Sequence, residues 1–234
     1  MRPLLAASLL ALALPAAAGD LPSLGALTQD QFRKLSEDLG AALSYKGVTP
    51  ATPLGALGFD VGLELSATDI RNAELFRLAG NAAPDTVVVP KLHVYKGLPW
   101  GFDIGAFVGG ATEVDATVYG LDARWAILDD GVATPAVALR LSGTQSSSIG
   151  SLKVTTFAGD LMVSKKLTIA TPYLGVGVVR TNADPGTGGL SDETFNKGRV
   201  FGGLNLNLAI VNLAFEAEKL GDNTTLSAKA GWRF

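Results

Sequence analysis

From residue 57 to the C-terminus, apolar and polar side chains alternate with a period of two through most of the chain. The last eleven residues alternate without exception. Thr224, Leu226, Ala228, Ala230, Trp232 and Phe234 share one parity, and Thr225, Ser227, Lys229, Gly231 and Arg233 share the other. A period of two places successive side chains on opposite faces of an extended strand. The pattern therefore predicts a chain of two-faced β-strands.

The hydropathy of the chain narrows the fold further. Mean hydropathy is +0.29, yet no apolar run after residue 19 approaches the roughly 20 residues that a membrane-spanning helix needs. In hydrocarbon every backbone polar group must be bonded internally, so the spanning alternative to helices is a closed barrel. We predict an all-β fold, a closed antiparallel transmembrane up-and-down β-barrel with a short N-terminal helix.

Ten segments carry the alternation. They cover residues 57–66, 88–95, 100–106, 119–127, 135–142, 151–165, 168–180, 199–208, 211–217 and 224–234. The sixth is the least regular, and counts of eight or twelve strands stay open. An even number is what single-chain bacterial barrels use, so we expect about ten strands.

The connections between these segments alternate in length. Tight turns at 97–99, 129–131, 165–166 and 210–211 are separated by the connections 69–86, 110–114, 143–150, 181–198 and 220–223. Such barrels have short periplasmic turns and longer outer loops. We therefore expect the two longest connections, 69–86 and 181–198, on the outer side.

The C-terminal strand resembles the closing strand of bacterial outer-membrane β-barrels. In that class the final Phe and its alternating partners form the sorting signal that the barrel assembly machinery reads. The resemblance implies that Trp232 and Phe234 are an assembly signal and that this machinery is a partner during biogenesis. Trp100, Trp125 and Trp232 all fall at the predicted periplasmic interface, where barrels carry an aromatic girdle. A soluble sandwich with three core tryptophans would not explain the terminal pattern.

The N-terminus predicts export. Arg2, the apolar run from Leu4 to Leu14 and the small residues 16–18 predict a signal peptide over residues 1–18, cleaved before Gly19. The chain has no cysteine, so we expect neither a lipid anchor nor disulfides. We predict an N-terminal periplasmic segment over residues 19–53 and a barrel over 54–234 in the outer membrane of a Gram-negative bacterium.

The segment before the barrel predicts a helix. Thr28 to Gln31 form a capping pattern, and five apolar residues follow at helical spacing: Phe32, Leu35, Leu39, Ala42 and Leu43. The helix should run from about residue 29 to 44. It could pack at the periplasmic mouth or enter the lumen as a plug. A helix is about 10 to 12 Å wide, and a ten-stranded barrel is filled by its inward side chains, so we favour the mouth.

The inward face predicts a lumen charge network. It comprises Asp60, Glu64, Lys91, His93, Asp103, Asp122, Arg124, Arg140, Asp160, Arg199, Glu216, Glu218, Lys229 and Arg233. Isolated charges in a low-dielectric interior are costly, so seven acids facing six bases predict paired groups across the lumen. These pairs either fill and hold a narrow barrel or line a polar path for a small solute or ion.

Catalysis and nucleic-acid binding have little support. Known barrel enzymes include proteases with His and Asp groups near the outer rim and phospholipases with Ser, His and Asn on the lipid-facing side, whereas the single histidine here, His93, lies in mid-strand and faces inward. We therefore expect no enzyme, no cofactor and no metal site. The net charge of −3 gives no basic footprint for nucleic acid.

The sequence favours a monomeric barrel with a structural or surface-interaction role through its two long outer loops. Its expected partners are outer-membrane lipid and lipopolysaccharide. The alternative is a narrow channel for small solutes or ions.

Overall fold

A computed structural model describes residue 21 and residues 23–80, 84–111, 113–147, 149–186 and 189–234. The predicted signal peptide, residues 1–18, and its cleavage site before Gly19 lie outside the described residues. No helix in the described part of the chain is both long and apolar enough to cross a membrane.

Ten antiparallel strands form a closed barrel in which β1 pairs with both β2 and β10. The strands are β1 Phe59–Asp69, β2 Thr86–Gly97, β3 Phe102–Ala111, β4 Ala116–Leu128, β5 Ala136–Ser146, β6 Lys153–Ser164, β7 Ala170–Asp184, β8 Glu193–Leu208, β9 Val211–Leu220 and β10 Asn223–Arg233. Every other strand pairs with its neighbours along the chain. The predicted fold class and the ten-strand count are confirmed.

Side chains alternate between the two faces of the wall. The outward face carries exposed apolar residues on every strand, such as Leu63 on β1, Leu121 on β4 and Leu174 on β7. The alternating residues between them are buried in the lumen. An apolar outer band of this extent is typical of barrels whose wall contacts lipid.

The two ends of the barrel differ. We call one the short-turn end, which holds the connections 98–101, 129–135, 165–169 and 209–210. The other, the long-loop end, holds 70–85, 112–115, 147–152, 185–192 and 221–222. In the first turn of the short-turn end, Trp100 and Gly101 both adopt positive φ, 62° and 76°, which lets the chain reverse within four residues.

The predicted long connection 181–198 is wrong in length. Strand β7 continues to Asp184 and β8 begins at Glu193, so the connection between the two strands spans residues 185–192. The outward side chains in this part of the hairpin, including Arg180, Asn182 and Asn196, are polar and exposed. On the long-loop side of the apolar band, the alternation of apolar and polar residues therefore ends, although the backbone pairing continues.

The predicted helix is confirmed as α1, Gln29–Leu43, and its capping box is present. Thr28 Oγ1 accepts from Gln31 N at 3.4 Å, and Thr28 N donates to Gln31 Oε1 at 2.9 Å. The expectation that α1 packs at the mouth of the short-turn end is wrong. The helix enters the lumen from the long-loop end and contacts β1, β2, β5, β6, β7 and β10.

The inner wall at the long-loop end has room for α1 because its side chains are small and apolar. Val87, Val89, Ala111, Val118, Val154 and Ala183 join Phe32, Leu35 and Leu39 of α1 in one buried core. At Gly40, an added Cβ would lie 2.8 Å from Thr181 Oγ1 on β7. The absent side chain lets the helix approach the wall.

The connection between β1 and β2 forms a lid on this core. Its short helix α2, Ala73–Leu78, buries Leu75 and Phe76 in the same cluster as α1. Ser23 N donates to Ala79 O at 3.0 Å and joins the N-terminal segment to this connection. In the predicted outer loop 69–86, the described residues 70–80 therefore form a packed cap.

Candidate functional site

The lumen is occupied by the chain's own N-terminal segment. Below α1, residues 44–54, which we call the lumen segment, run toward the short-turn end and lead into β1. Every residue from Asp38 to Ala51 is buried. The N-terminal segment and the predicted charge network therefore share one space.

The rim of the long-loop end holds α1 by ion pairs. Arg33 Nη1 lies 3.2 Å from Glu193 Oε2, and Lys197 Nζ lies 2.9 Å from Glu37 Oε2. Arg33 also stacks over the Phe195 ring, 4.5 Å from its centre. These contacts fasten one side of the helix to β8.

Asp38 fastens the other side of α1. Its carboxylate accepts from Asn72 N at 2.9 Å, from Asn223 Nδ2 at 2.7 Å and from Arg71 N at 3.3 Å. The side chain is buried. One carboxylate thus joins the helix to the β1–β2 cap and to the β9–β10 turn.

The upper lumen segment binds the wall through Tyr45. Its hydroxyl donates to Asp122 Oδ1 at 2.5 Å and lies 2.9 Å from the Tyr95 hydroxyl. The Tyr95 hydroxyl in turn donates to Gly47 O at 3.1 Å. Arg199 Nη1 donates to Tyr45 O at 2.7 Å. Backbone and side chain of the segment are therefore both held by inward wall residues.

Lys46 supplies a base that the wall pattern lacks. Its Nζ lies 3.5 Å from Glu218 Oε1 and donates to Ser44 Oγ at 2.7 Å. It also donates to Ala41 O at the end of α1. Lys46 is thus a buried base that the period-two pattern of the wall does not contain.

Gly47 marks the closest approach of the lumen segment to the wall. A Cβ built on Gly47 would lie 2.1 Å from Arg140 Nη1. Any side chain at this position would displace the Arg140 guanidinium, which is itself buried. The glycine is required for the segment to pass this arginine.

The lower lumen segment is bound as far as the short-turn end. Arg124 Nη1 donates to Pro50 O at 2.6 Å, and Thr52 N donates to Ser164 Oγ at 3.1 Å. Leu54 N donates to Asp103 Oδ1 at 3.1 Å. Contacts with the wall therefore continue along the whole segment.

The wall charges themselves form ion pairs between neighbouring strands. Lys91 Nζ lies 2.8 Å from Glu64 Oε1, and Arg124 Nη2 lies 2.5 Å from Asp103 Oδ2. Asp160 pairs with Arg140 at 2.8 Å and with Arg199, which also lies 3.4 Å from Glu218. Lys229 Nζ lies 3.1 Å from Asp60 Oδ2.

The structure places all fourteen residues proposed for the charge network on the inward side of the wall. Thirteen are buried, and Arg233, near the short-turn end, is half-buried, 3.9 Å from Asp60. Glu216 forms no ion pair within 4 Å among the described residues, and the Tyr173 hydroxyl is the donor that faces it. Asp38, Tyr45 and Lys46 belong to this site but were not predicted. They lie before the first strand, so the period-two pattern of the wall gave no signal for them.

His93 is a member of the buried network. Its Nε2 lies 2.7 Å from Glu64 Oε2, and its ring stacks on Phe107 at 5.1 Å and on Tyr95 at 5.8 Å. Its exposed fraction is zero. In this conformation His93 has no access to a substrate in solvent or lipid. Among the described residues no group of three His, Asp or Glu side chains has the arrangement of a metal site.

Trp100, Trp125 and Trp232, proposed as a girdle, lie at the short-turn end with exposed rings. The Trp125 ring stacks on Phe102, 5.7 Å away. At the same end, Phe234 N donates to Phe59 O at 3.0 Å and Phe59 N donates to Phe234 O at 2.7 Å. The last residue therefore completes the pairing that closes the barrel, while its ring faces outward.

The closed ten-stranded barrel, with an apolar outer band and a charged lumen, has the fold of small bacterial outer-membrane β-barrels. No protein-family model matches the sequence. No curated protein matches it either.

Several solved barrel structures are similar to the chain. The N-terminal β-barrel domain of Pseudomonas aeruginosa OprF is 11% identical, with a TM-score of 0.38, and the match covers 75% of this chain and 97% of that one. The outer membrane protease OmpT of Escherichia coli is 10% identical, with a TM-score of 0.42, covering 76% and 96%. Ail, the attachment invasion locus protein of Yersinia pestis, is 14% identical, with a TM-score of 0.34, covering 76% and 97%. The fold assignment rests on the strand pairing of this chain.

Proposed function

We propose that the chain is an outer-membrane barrel that its own N-terminal segment keeps closed, and that it acts through its long-loop end. The observation that carries this proposal is the unbroken burial of residues 38–51 within the lumen. The segment contacts inward polar residues along its length and fills the lumen. A barrel filled in this way should not conduct ions. The role is therefore structural or surface-interacting, and transport and catalysis are not part of it.

The proposed location has three supports. The apolar outer band suits a lipid environment, the three tryptophans lie at one rim, and the last strand has the alternation of an assembly signal. The proposal orients the short-turn end toward the periplasm and the long-loop end toward the outside. The barrel assembly machinery would read Trp232 and Phe234 during insertion, and the inserted barrel would be a monomer in contact with lipid.

Conductance tests the closed state. The mature chain, refolded and inserted into planar lipid bilayers, should give no reproducible conductance steps. A Lys46→Met/Gly47→Val variant, in which the lumen segment loses its ion pair and collides with Arg140, should give intermittent steps. Reproducible steps from the unmodified chain that change in size on Arg140→Gln substitution would support a narrow channel instead.

For the surface role, we place the contact area on the cap formed by the connection between β1 and β2. Arg77 and Leu78 of α2 and Lys34 of α1 are exposed there, and Leu78 is 51% exposed. Aggregation of cells that express the barrel should fall when Arg77→Ala and Leu78→Ser are introduced together. Lys166→Ala at the short-turn end is the matched control. Unchanged aggregation of the cap variant, at equal surface abundance, would exclude the cap as the contact site.

A further inference from the structure

A groove of about 810 Å³ lies on the outer wall across β3 to β6. Tyr119, Leu121, Leu141 and Phe157 form its sides, and Gly143 forms its floor. Gly143 pairs in register with Leu121 on one neighbouring strand and with Phe157 on the other. Because Gly143 has no side chain, the four large residues around it border an apolar groove that is open on the outer side of the wall.

A row of polar side chains borders this groove on the long-loop side. Gln145, Thr155, Asn182 and Thr194 are direct register partners across β5, β6, β7 and β8, and all four lie on the outward face. Strands are spaced about 4.8 Å apart, so the row is about 14 Å wide. It consists of amide and hydroxyl groups, which donate to and accept from sugar hydroxyls.

Two cations lie beside the polar row. Arg180, on the groove side, pairs in register with Phe157 and Asn196, and Lys153 lies on the far side toward the long loops. Both are exposed, and neither has an ion pair among the described residues. Lys153 pairs in register with Asp184, whose carboxylate accepts from Gly186 N at 2.8 Å. A guanidinium and an ammonium in this position suit phosphate oxygens.

The opposite wall lacks this combination. A second apolar groove, on β8, β9, β10 and β1, is lined by Leu65, Phe215 and Leu226. The cations toward the long loops on that side are already engaged: Lys219 Nζ donates to Asp222 O at 2.8 Å, and Arg71 pairs with Asp69 at 3.4 Å. The polar row and the two unpaired cations therefore distinguish the first sector from the one around the second groove.

We propose that this sector binds one acylated, phosphorylated glycolipid, lipopolysaccharide, with an acyl chain in the groove and the phosphorylated sugars on the polar row. The cations contact the phosphates, and the hydroxyl and amide groups contact the sugars. A phospholipid headgroup is too small to span four strands, whereas a disaccharide is not. The site rests on the proposed orientation, with the long-loop end in the outer leaflet.

Binding of purified lipopolysaccharide to the full barrel in detergent micelles tests this site, with phosphatidylglycerol as the competing probe. Arg180→Ala/Lys153→Ala should weaken lipopolysaccharide binding about fivefold, the range of partly exposed ion pairs. Gly143→Leu fills the groove and should weaken binding by a similar factor. A Cβ on Gly143 meets Phe157 carbons at 3.4 Å, an ordinary contact, and heat-modifiable migration in gels checks that the leucine variant is folded.

Two variants are matched controls. Ala228→Leu fills the second groove, and Lys166→Ala removes a cation at the short-turn end; neither should change the affinity. Equal affinity of the unmodified barrel for both lipids, or unchanged affinity of the Arg180/Lys153 and Gly143 variants, would overturn the glycolipid site alone. A chain that shows no heat-modifiable fold and does not insert into lipid vesicles would overturn the proposed function, and the site with it.

Discussion

Lys46 Nζ lies 3.5 Å from Glu218 Oε1, and both side chains are buried inside the barrel. One partner belongs to the lumen segment and the other to the wall. Without this segment, Arg199 would be the one base within 4 Å of Glu218 among the described residues. The segment therefore supplies an ion-pair partner to a buried acid of the wall.

Replacing Lys46 should destabilise the folded barrel. Lys46→Met removes a buried ion-pair partner and leaves Glu218 undercompensated, which costs about 3 kcal/mol in comparable cases. Denaturant unfolding of the refolded barrel in micelles measures the change in the free energy of unfolding. Lys34→Met, an exposed lysine of α1, is the control and should stay within about 0.5 kcal/mol of the unmodified chain. An equally small change for Lys46→Met would contradict the pairing.

A side chain at Gly47 should displace the lumen segment. Gly47→Val places carbon atoms in the volume of the Arg140 guanidinium, and overpacking of this kind costs about 1 to 3 kcal/mol. Hydrogen exchange of residues 44–54 should accelerate, while the strands stay protected. Gly25→Ala is the matched control, because nothing lies within 4 Å of a Cβ at that position. If both variants exchange alike, Gly47 does not pack against Arg140.

Loss of Asp38 should loosen the cap. Asp38→Ala leaves the amides of Arg71 and Asn72 and the side chain of Asn223 without their acceptor, a loss of about 1 to 3 kcal/mol for buried donors. Trypsin should then cut after Arg71 or Arg77 faster than in the unmodified barrel. Asp30→Ala, an exposed acid on the same helix, should leave the cleavage rate unchanged. Equal rates in both variants would show that Asp38 does not hold the cap.

Two variants of Phe234 separate the role of its ring from the role of its backbone hydrogen bonds. Deleting the residue removes both backbone hydrogen bonds to Phe59 as well as the ring, whereas Phe234→Ala keeps the backbone pairing. If the ring is the assembly signal, both variants should have low outer-membrane abundance and little heat-modifiable form. Normal abundance of the alanine variant, with loss only on deletion, would assign the effect to barrel closure. Normal abundance of both would contradict an assembly role.

The strands could be predicted because the wall separates two different environments. Leu63 and Leu121 face outward, whereas Glu64 and Asp122 face inward. Because outward residues are apolar and inward residues are polar, side-chain hydropathy alternates along each strand with a period of two. The pattern was clear only within the apolar band. Above it, Arg180 and Asn182 of β7 face outward but are polar, and the hydropathy signal ended before the strand did.

The position of α1 could not be predicted from the width of the barrel alone. Long charged side chains fill the part of the lumen near the short-turn end, whereas small apolar side chains line the part near the long-loop end. Inward residues such as Val87, Val89 and Val118 would contact water in an empty lumen, so they need an apolar partner. The apolar face of α1, with Phe32 and Leu35, is that partner. Inward apolar residues at one end of an otherwise charged lumen are thus the signal for a plug.

The central claim is that the lumen segment passes through the closed barrel, and a disulfide tests it most directly. Thr52 Oγ1 lies 3.0 Å from Ser164 Oγ, and the chain has no native cysteine. Thr52→Cys/Ser164→Cys should therefore oxidise to a disulfide in the barrel inserted in lipid vesicles. Thr68→Cys/Thr225→Cys, at paired wall positions whose hydroxyls lie 2.9 Å apart, is the positive control. Thr52→Cys/Ser66→Cys, which joins the segment to a distant wall position, is the negative control. We expect disulfides in the first two pairs; a disulfide in the wall pair but none between Thr52 and Ser164 would contradict the plugged barrel.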